Sequence, residues 1–176
     1  MKVAVLYESM KAVVLDDGTV LKSRTDWAAK SKEIAKMIRS GEAYGKHLGS
    51  VALNLEGEDF RGVLLGRASF RGANFRRANF EGANLASSNF FSANLSGANL
   101  KNATLDGGEF ANVNFSGANF QDAEISANFS GSNFTNANLK GADLRYADLS
   151  NVEGLESVKY DAKTKWPKGF TLPPSR

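Results

Sequence analysis

One imidazole and no thiol bound the chemistry open to this chain. His47 is the sole histidine of 176 residues, and cysteine is absent. A His/Cys metal cluster is therefore excluded, and a Ser-His-Asp triad would have to use His47. That residue lies in a connector between Gly45 and Gly49, and nothing pairs with it by spacing, so it reads as a solvated linker residue. Carboxylates can act in pairs without an imidazole. Here Asp59, Glu109, Glu124, Asp143 and Asp148 all occupy the same place in a recurring five-residue unit, and they read as solvated members of a ladder. The glycines recur with that period too, and none makes a Walker-type loop. No catalytic residue, cofactor site or metal site is assigned, and the chain is read as a non-enzyme.

The outward side chains that remain carry charge or aromatic surface. Arg61, Arg67, Arg71, Arg76 and Arg77 fall in four consecutive units and predict a basic belt, suited to an acidic partner or phosphates. The same belt offsets Glu56, Glu58, Asp59 and Glu81. Phe91 follows a central Phe90 and is expected to point outward, and Tyr146 sits at a corner. Exposed aromatics mark contacts. These seven arginine and aromatic residues form the candidate interaction surface.

The repeat must position them. From Leu53 the chain reads in words such as Arg71-Gly72-Ala73-Asn74-Phe75, each with Leu, Phe or Ile at its centre. The centres run every five residues from Leu55 to Ile125, skip one residue, and resume from Phe129 to Leu149. Two residues before most centres stands Ala, as at Ala73, Ala78 and Ala98, with Asn or another polar residue between. Period five fits neither a 3.6-residue helix nor a long alternating strand. It fits a short extended piece, in which residues two apart share a side, followed by a bend. Sorting the centres by every fourth unit gives an aliphatic column, Leu65, Leu85, Leu105, Ile125 and Leu144. Another column reads Phe70, Phe90, Phe110, Phe129 and Leu149. Like stacks on like only if four units make one turn, which gives about five coils and, at about 4.8 Å per coil, a rod of roughly 24 Å. The missing residue near Ser126 predicts a tightened corner there.

This uninterrupted pattern closely resembles the pentapeptide-repeat family over residues 53–152. The resemblance implies an all-β solenoid, a right-handed quadrilateral parallel β-helix with the Ala and Leu/Phe positions inside. Leu53, Glu58, Gly108 and Val113 depart from the small-residue position, and Glu58 would be an inward carboxylate. The segment Thr164-Lys165-Trp166-Pro167-Lys168-Gly169-Phe170 is similar to a tail that closes cyanobacterial members, with Trp166 and Phe170 expected to cover Leu144 and Leu149.

Three regions follow: 1–50 as a small α/β N-terminal cap, 51–152 as the repeat, and 153–176 as a capping tail. Strands are expected over Met1–Glu8, Ala12–Leu15 and Thr19–Leu21, then a helix from an N-cap Thr25 to Arg39, stopped by Gly41. A separate partner-binding module is the alternative reading of 1–50.

Charge narrows the partners. The formal net charge is +3, yet residues 51–155 hold 8 Lys/Arg against 11 Asp/Glu and both flanks are basic. Nucleic-acid binding wants basic and stacking side chains along one groove, so it is disfavoured. Members that protect DNA gyrase are thought to mimic duplex DNA through dense negative charge. The DNA-mimic alternative is disfavoured here by weak negative charge and five arginines. No signal-peptide core or 18-residue apolar run is present in the sequence, so a cytoplasmic location away from membranes is expected. The expected function is a protein-interaction surface or scaffold without a cofactor. An incompletely capped end coil would offer an edge for a homodimer.

Overall fold

A five-residue unit that spends two residues on a bend has only three to lay along a side. The computed structural model, which describes residues 13–14, 20–21, 24–48 and 53–171, shows what that arithmetic gives. Among the described residues the only strands are β1 (Val13–Val14) and β2 (Val20–Leu21), paired antiparallel ahead of the repeat. The repeat itself contains no strand and no sheet. The expectation of an all-β solenoid, a parallel β-helix, is therefore corrected. Loops touch through isolated single-residue bridges, one per side, such as Asn54 with Asn74 and Asn74 with Asn94. The reason is local: only the middle residue of each side lies between ladder bonds before the chain turns again. The amide of Asn74 donates to the Leu53 carbonyl at 2.9 Å, and Leu55 donates to the Asn74 carbonyl at 2.7 Å.

The corners are hydrogen-bonded turns. Val63 N–H donates to the Phe60 carbonyl, and Ala73 N–H to that of Phe70. The second corner residue has positive φ almost throughout, as type II turns require, at Gly62 (φ 63°) and also at Arg67 (60°) and Arg77 (57°). Asn at the outward position closes the same corner from outside. Its Oδ1 accepts from the amide two residues on, as Asn74 does from Arg76 (3.1 Å) and Asn133 from Thr135 (2.8 Å).

Inside, the centres from Leu55 to Leu144 are fully or nearly fully buried. Ten phenylalanine rings, from Phe60 to Phe134, form one continuous network; Phe90 stacks on Phe110 at 5.2 Å, and Phe110 meets Phe129 tilted by 33° at 5.6 Å. Each buried ring contributes about 1.5–3 kcal/mol through burial alone. Gly108 departs from Ala for a packing reason, since a Cβ there would lie 2.3 Å from the Phe110 ring. Ser132, buried at the same inward position, donates to the Phe110 carbonyl at 2.7 Å.

The flanks engage this stack directly. Helix α1 (Arg24–Ser40) ends at Gly41, whose φ of 81° terminates it. Thr25 lies within the helix rather than capping it. Ile34, Ala35 and Ile38 join the core, and the Ser31 hydroxyl accepts from the Asn54 amide at 3.2 Å. Glu58 is not an inward carboxylate; it pairs with Arg39 of α1 at 2.7 Å. Residues 46–48 add a bridge, His47 with Ser69, beneath one side. At the far end Glu153, Lys159 and Lys165 bridge to Asn133, Asn138 and Asp143, and a short 3-10 helix (Leu155–Ser157) lies between the first two. Trp166 and Phe170 stack at 5.4 Å and pack against the core together with Leu149. The strand expected over Met1–Glu8 lies outside the described residues.

Corner strain yields a paired prediction. Arg77 holds a left-handed conformation that costs a non-glycine residue about 1–2 kcal/mol. Arg77→Gly is expected to stabilise the chain by up to about 1 kcal/mol, part of the relief being offset by the freer unfolded state. Gly154 (φ 79°) faces the Thr135 amide, 2.4 Å from any added Cβ, whereas at Gly62 an added Cβ meets nothing within 4 Å. Urea unfolding should rank Gly154→Ala well below Gly62→Ala in stability.

Candidate interaction surface

The walls differ in chemistry: one runs Leu64, Asn84, Thr104, Glu124 and Asp143, and another is nearly all asparagine. On the asparagine wall Asn99 donates to Asn79 (3.1 Å), Asn119 to Asn99 (3.0 Å) and Asn138 to Asn119 (2.9 Å), so Asn99 and Asn119 are engaged with the side chains above and below. Corner side chains differ from loop to loop as well. The five arginines occupy all four corners and converge on none: Arg61, Arg67 and Arg71 stand at successive corners, with Arg76 and Arg77 together at the fourth. Arg61 forks onto Asp59 at 2.6 Å, which lowers the Asp59 pKa. Arg76 reaches Glu56 at 3.2 Å. Arg71 lies over the Phe91 ring at 4.3 Å, and Phe91 is half-buried rather than fully outward. The side chains of Arg67 and Arg77 have no hydrogen-bond or ion-pair partner among the described residues.

Tyr146 has different surroundings. It is 75% exposed, the most exposed large hydrophobic side chain described. Its corner keeps the turn bond from the Ala147 amide to the Leu144 carbonyl at 3.0 Å, but without a positive φ. An aromatic ring disfavours the left-handed region that Gly, Ser, Asn, Asp and two Arg residues fill at the other corners. One loop below, the same corner is a residue short at Ser126, and four bridges drop to a spacing of nineteen residues before twenty returns. The omission leaves a notch of about 390 Å³ lined by Asp106, Glu124, Ile125, Ser126, Asp143, Arg145 and Tyr146. Sequence reasoning singled out Tyr146 and the short corner separately; it missed that a twenty-residue loop stacks one on the other.

Within the notch, Asp143 accepts from Arg145 through both oxygens (2.9 and 2.8 Å) and from Lys165 at 3.0 Å. The Arg145 contact first, and Lys165 after it, hold this carboxyl well below the usual carboxylate range. Asp106 and Glu124 have no side-chain partner among the described residues. No three His, Cys, Asp or Glu side chains among the described residues form a metal-holding group. Likewise, no helix among the described residues is long and apolar enough to cross a membrane.

A depressed folded-state pKa stabilises the protein at pH above the unfolded value, about 3.9 for Asp. That contribution of Asp143 is lost as pH falls from there through its lower folded value. Carboxyl-detected NMR titration should place the Asp143 midpoint below that of an ordinary aspartate. Arg145→Ala should raise it more than Lys165→Ala, and the reverse order would refute this ranking of causes.

Comparison with known proteins matches this geometry. The sequence profile of pentapeptide repeats is found in eight copies, over residues 54–90, 93–126 and 125–153. A pentapeptide repeat protein from the Arabidopsis thaliana thylakoid lumen is 34% identical over 63% of this chain and 73% of its own, with a TM-score of 0.54. HetL, involved in heterocyst differentiation regulation in the cyanobacterium Nostoc, is 25% identical and covers 69% of this chain, which spans 58% of it, at a TM-score of 0.45. QnrB1, a plasmid-mediated fluoroquinolone resistance protein, is 19% identical over 68% of this chain and 72% of its own, at 0.30. Neither of the last two superposes closely enough to speak to function. No functionally curated protein is similar in sequence. With the profile covering more than half of its residues, this chain belongs to the pentapeptide-repeat family.

Proposed function

We propose that the chain is a non-enzymatic scaffold that binds protein partners through its corners. The observation that carries this reading is the division of labour on the surface. Wall amides are engaged in closing turns and in stacking on each other, as along Asn79, Asn99, Asn119 and Asn138. The corners, held on a phenylalanine-filled core, differ from loop to loop and carry every arginine of the repeat together with Phe91 and Tyr146, groups that specific contacts use. Arg71 with Phe91 is one such group, and Tyr146 with its notch is the other. In this reading α1 serves as a cover, because Ser31, Ile34, Ile38 and Arg39 are all engaged with the first loop or the core. A duplex-mimicking surface needs continuous negative charge, and a wall that runs Asn79, Asn99, Asn119 and Asn138 does not supply it.

The test is capture of partners from the native lysate on the immobilised full chain, beside Tyr146→Ala and an Arg71→Ala/Phe91→Ala variant. A protein retained by the wild type and lost from one corner variant, with melting temperature unchanged, is the expected result. Retention no different from that on an unrelated protein of equal charge would sink the scaffold reading.

A further inference from the structure

We infer that the notch at Ser126 receives a lysine or arginine side chain from a protein partner, an inference that rests on the scaffold reading above. Three independent features of this corner point the same way. The first is shape. At about 390 Å³ the notch far exceeds the roughly 30 Å³ share of one water and has room for a long side chain. It lies where one loop omits a corner residue that the loops above and below retain, at Asp106-Gly107 and Arg145-Tyr146.

The second feature is charge. Asp143 is already neutralised by Arg145 and Lys165, while Asp106 and Glu124 have no cationic partner among the described residues. Three carboxylates against Arg145 and Lys165 leave the notch a net charge of −1, with Asp106 and Glu124 on successive loops. An anionic occupant, such as a phosphopeptide or a nucleic-acid backbone, would be repelled.

The third feature is Tyr146, whose ring borders the notch and is mostly bare. A guanidinium or ammonium group is attracted to such a face, and its aliphatic stem covers apolar surface. Arg145 already uses this chemistry within the chain, with its guanidinium carbon 5.7 Å from the ring centroid. Carboxylates for the head and a ring for the stem make one complementary receptor. A small metal ion would use only the carboxylates and leave the ring without a role.

The probe is an acetylated, amidated peptide with two arginines between glycines, titrated into the isotope-labelled full chain and followed by amide shifts. A peptide with glutamates in place of arginines is the control. Saturable shifts confined to residues 124–126 and 145–146, absent with the control, are expected. Asp106→Asn combined with Glu124→Gln should weaken binding about tenfold, and Tyr146→Ala severalfold, with added salt weakening it further. Shifts scattered over the surface, equal binding of the glutamate peptide, or variants that bind as well as wild type would each overturn the inference. Capture of a protein partner without arginine-peptide binding would end this inference and leave the scaffold reading standing. Peptide binding at the notch without any captured partner would count against the scaffold reading and with it against a protein as the source of the side chain.

Discussion

Every loop must satisfy its backbone against the loop above and the loop below, and the rest of the molecule follows from that one constraint. A buried N–H or C=O left unpaired costs about 1–3 kcal/mol. With a turn every five residues, each side has one residue placed to pair both ways, as Asn74 does between Asn54 and Asn94. The residue on each side of it must then face inward, which selects Ala before it and Leu or Phe after it. Loops come close enough that a ring needs its own space, and Gly108 gives Phe110 that space.

The same constraint decides where variation is tolerated. Inward positions are set by packing, and the outward Asn is occupied in closing the corner. Corner side chains answer to neither demand, so they are free to carry arginine, phenylalanine or tyrosine. Corner backbone is less free. Left-handed corners accept Arg67 and Arg77 at a cost, while the Tyr146 corner adopts a different turn. Some corner charge is balanced locally, Arg61 by Asp59, Arg76 by Glu56 and Arg145 by Asp143.

Much of this was legible in the spacing of residues. The aliphatic column from Leu65 to Leu144 and the Phe column from Phe70 to Phe129 imply four units per turn, and both columns are buried as expected. Secondary structure was less legible. An alternating Ala-Asn-Phe triplet looks like strand on each side, yet three residues between turns form a bridge and not a strand. Glu58 shows a different limit. Its position in the repeat says inward, but Arg39 of a helix nineteen residues earlier draws the carboxylate out.

The sequence by itself determined what lies inside: period, number of sides, the identity of the core and the place of the missing residue. These are consequences of local geometry repeated many times, so each unit confirms the next. The tertiary structure alone decided what the outside offers. Residues twenty apart become neighbours only when one loop lies on another, and that brings Tyr146 above the gap at Ser126 and Arg71 under Phe91. It also sends the arginines to separate corners, because a belt along the chain is wound around the stack.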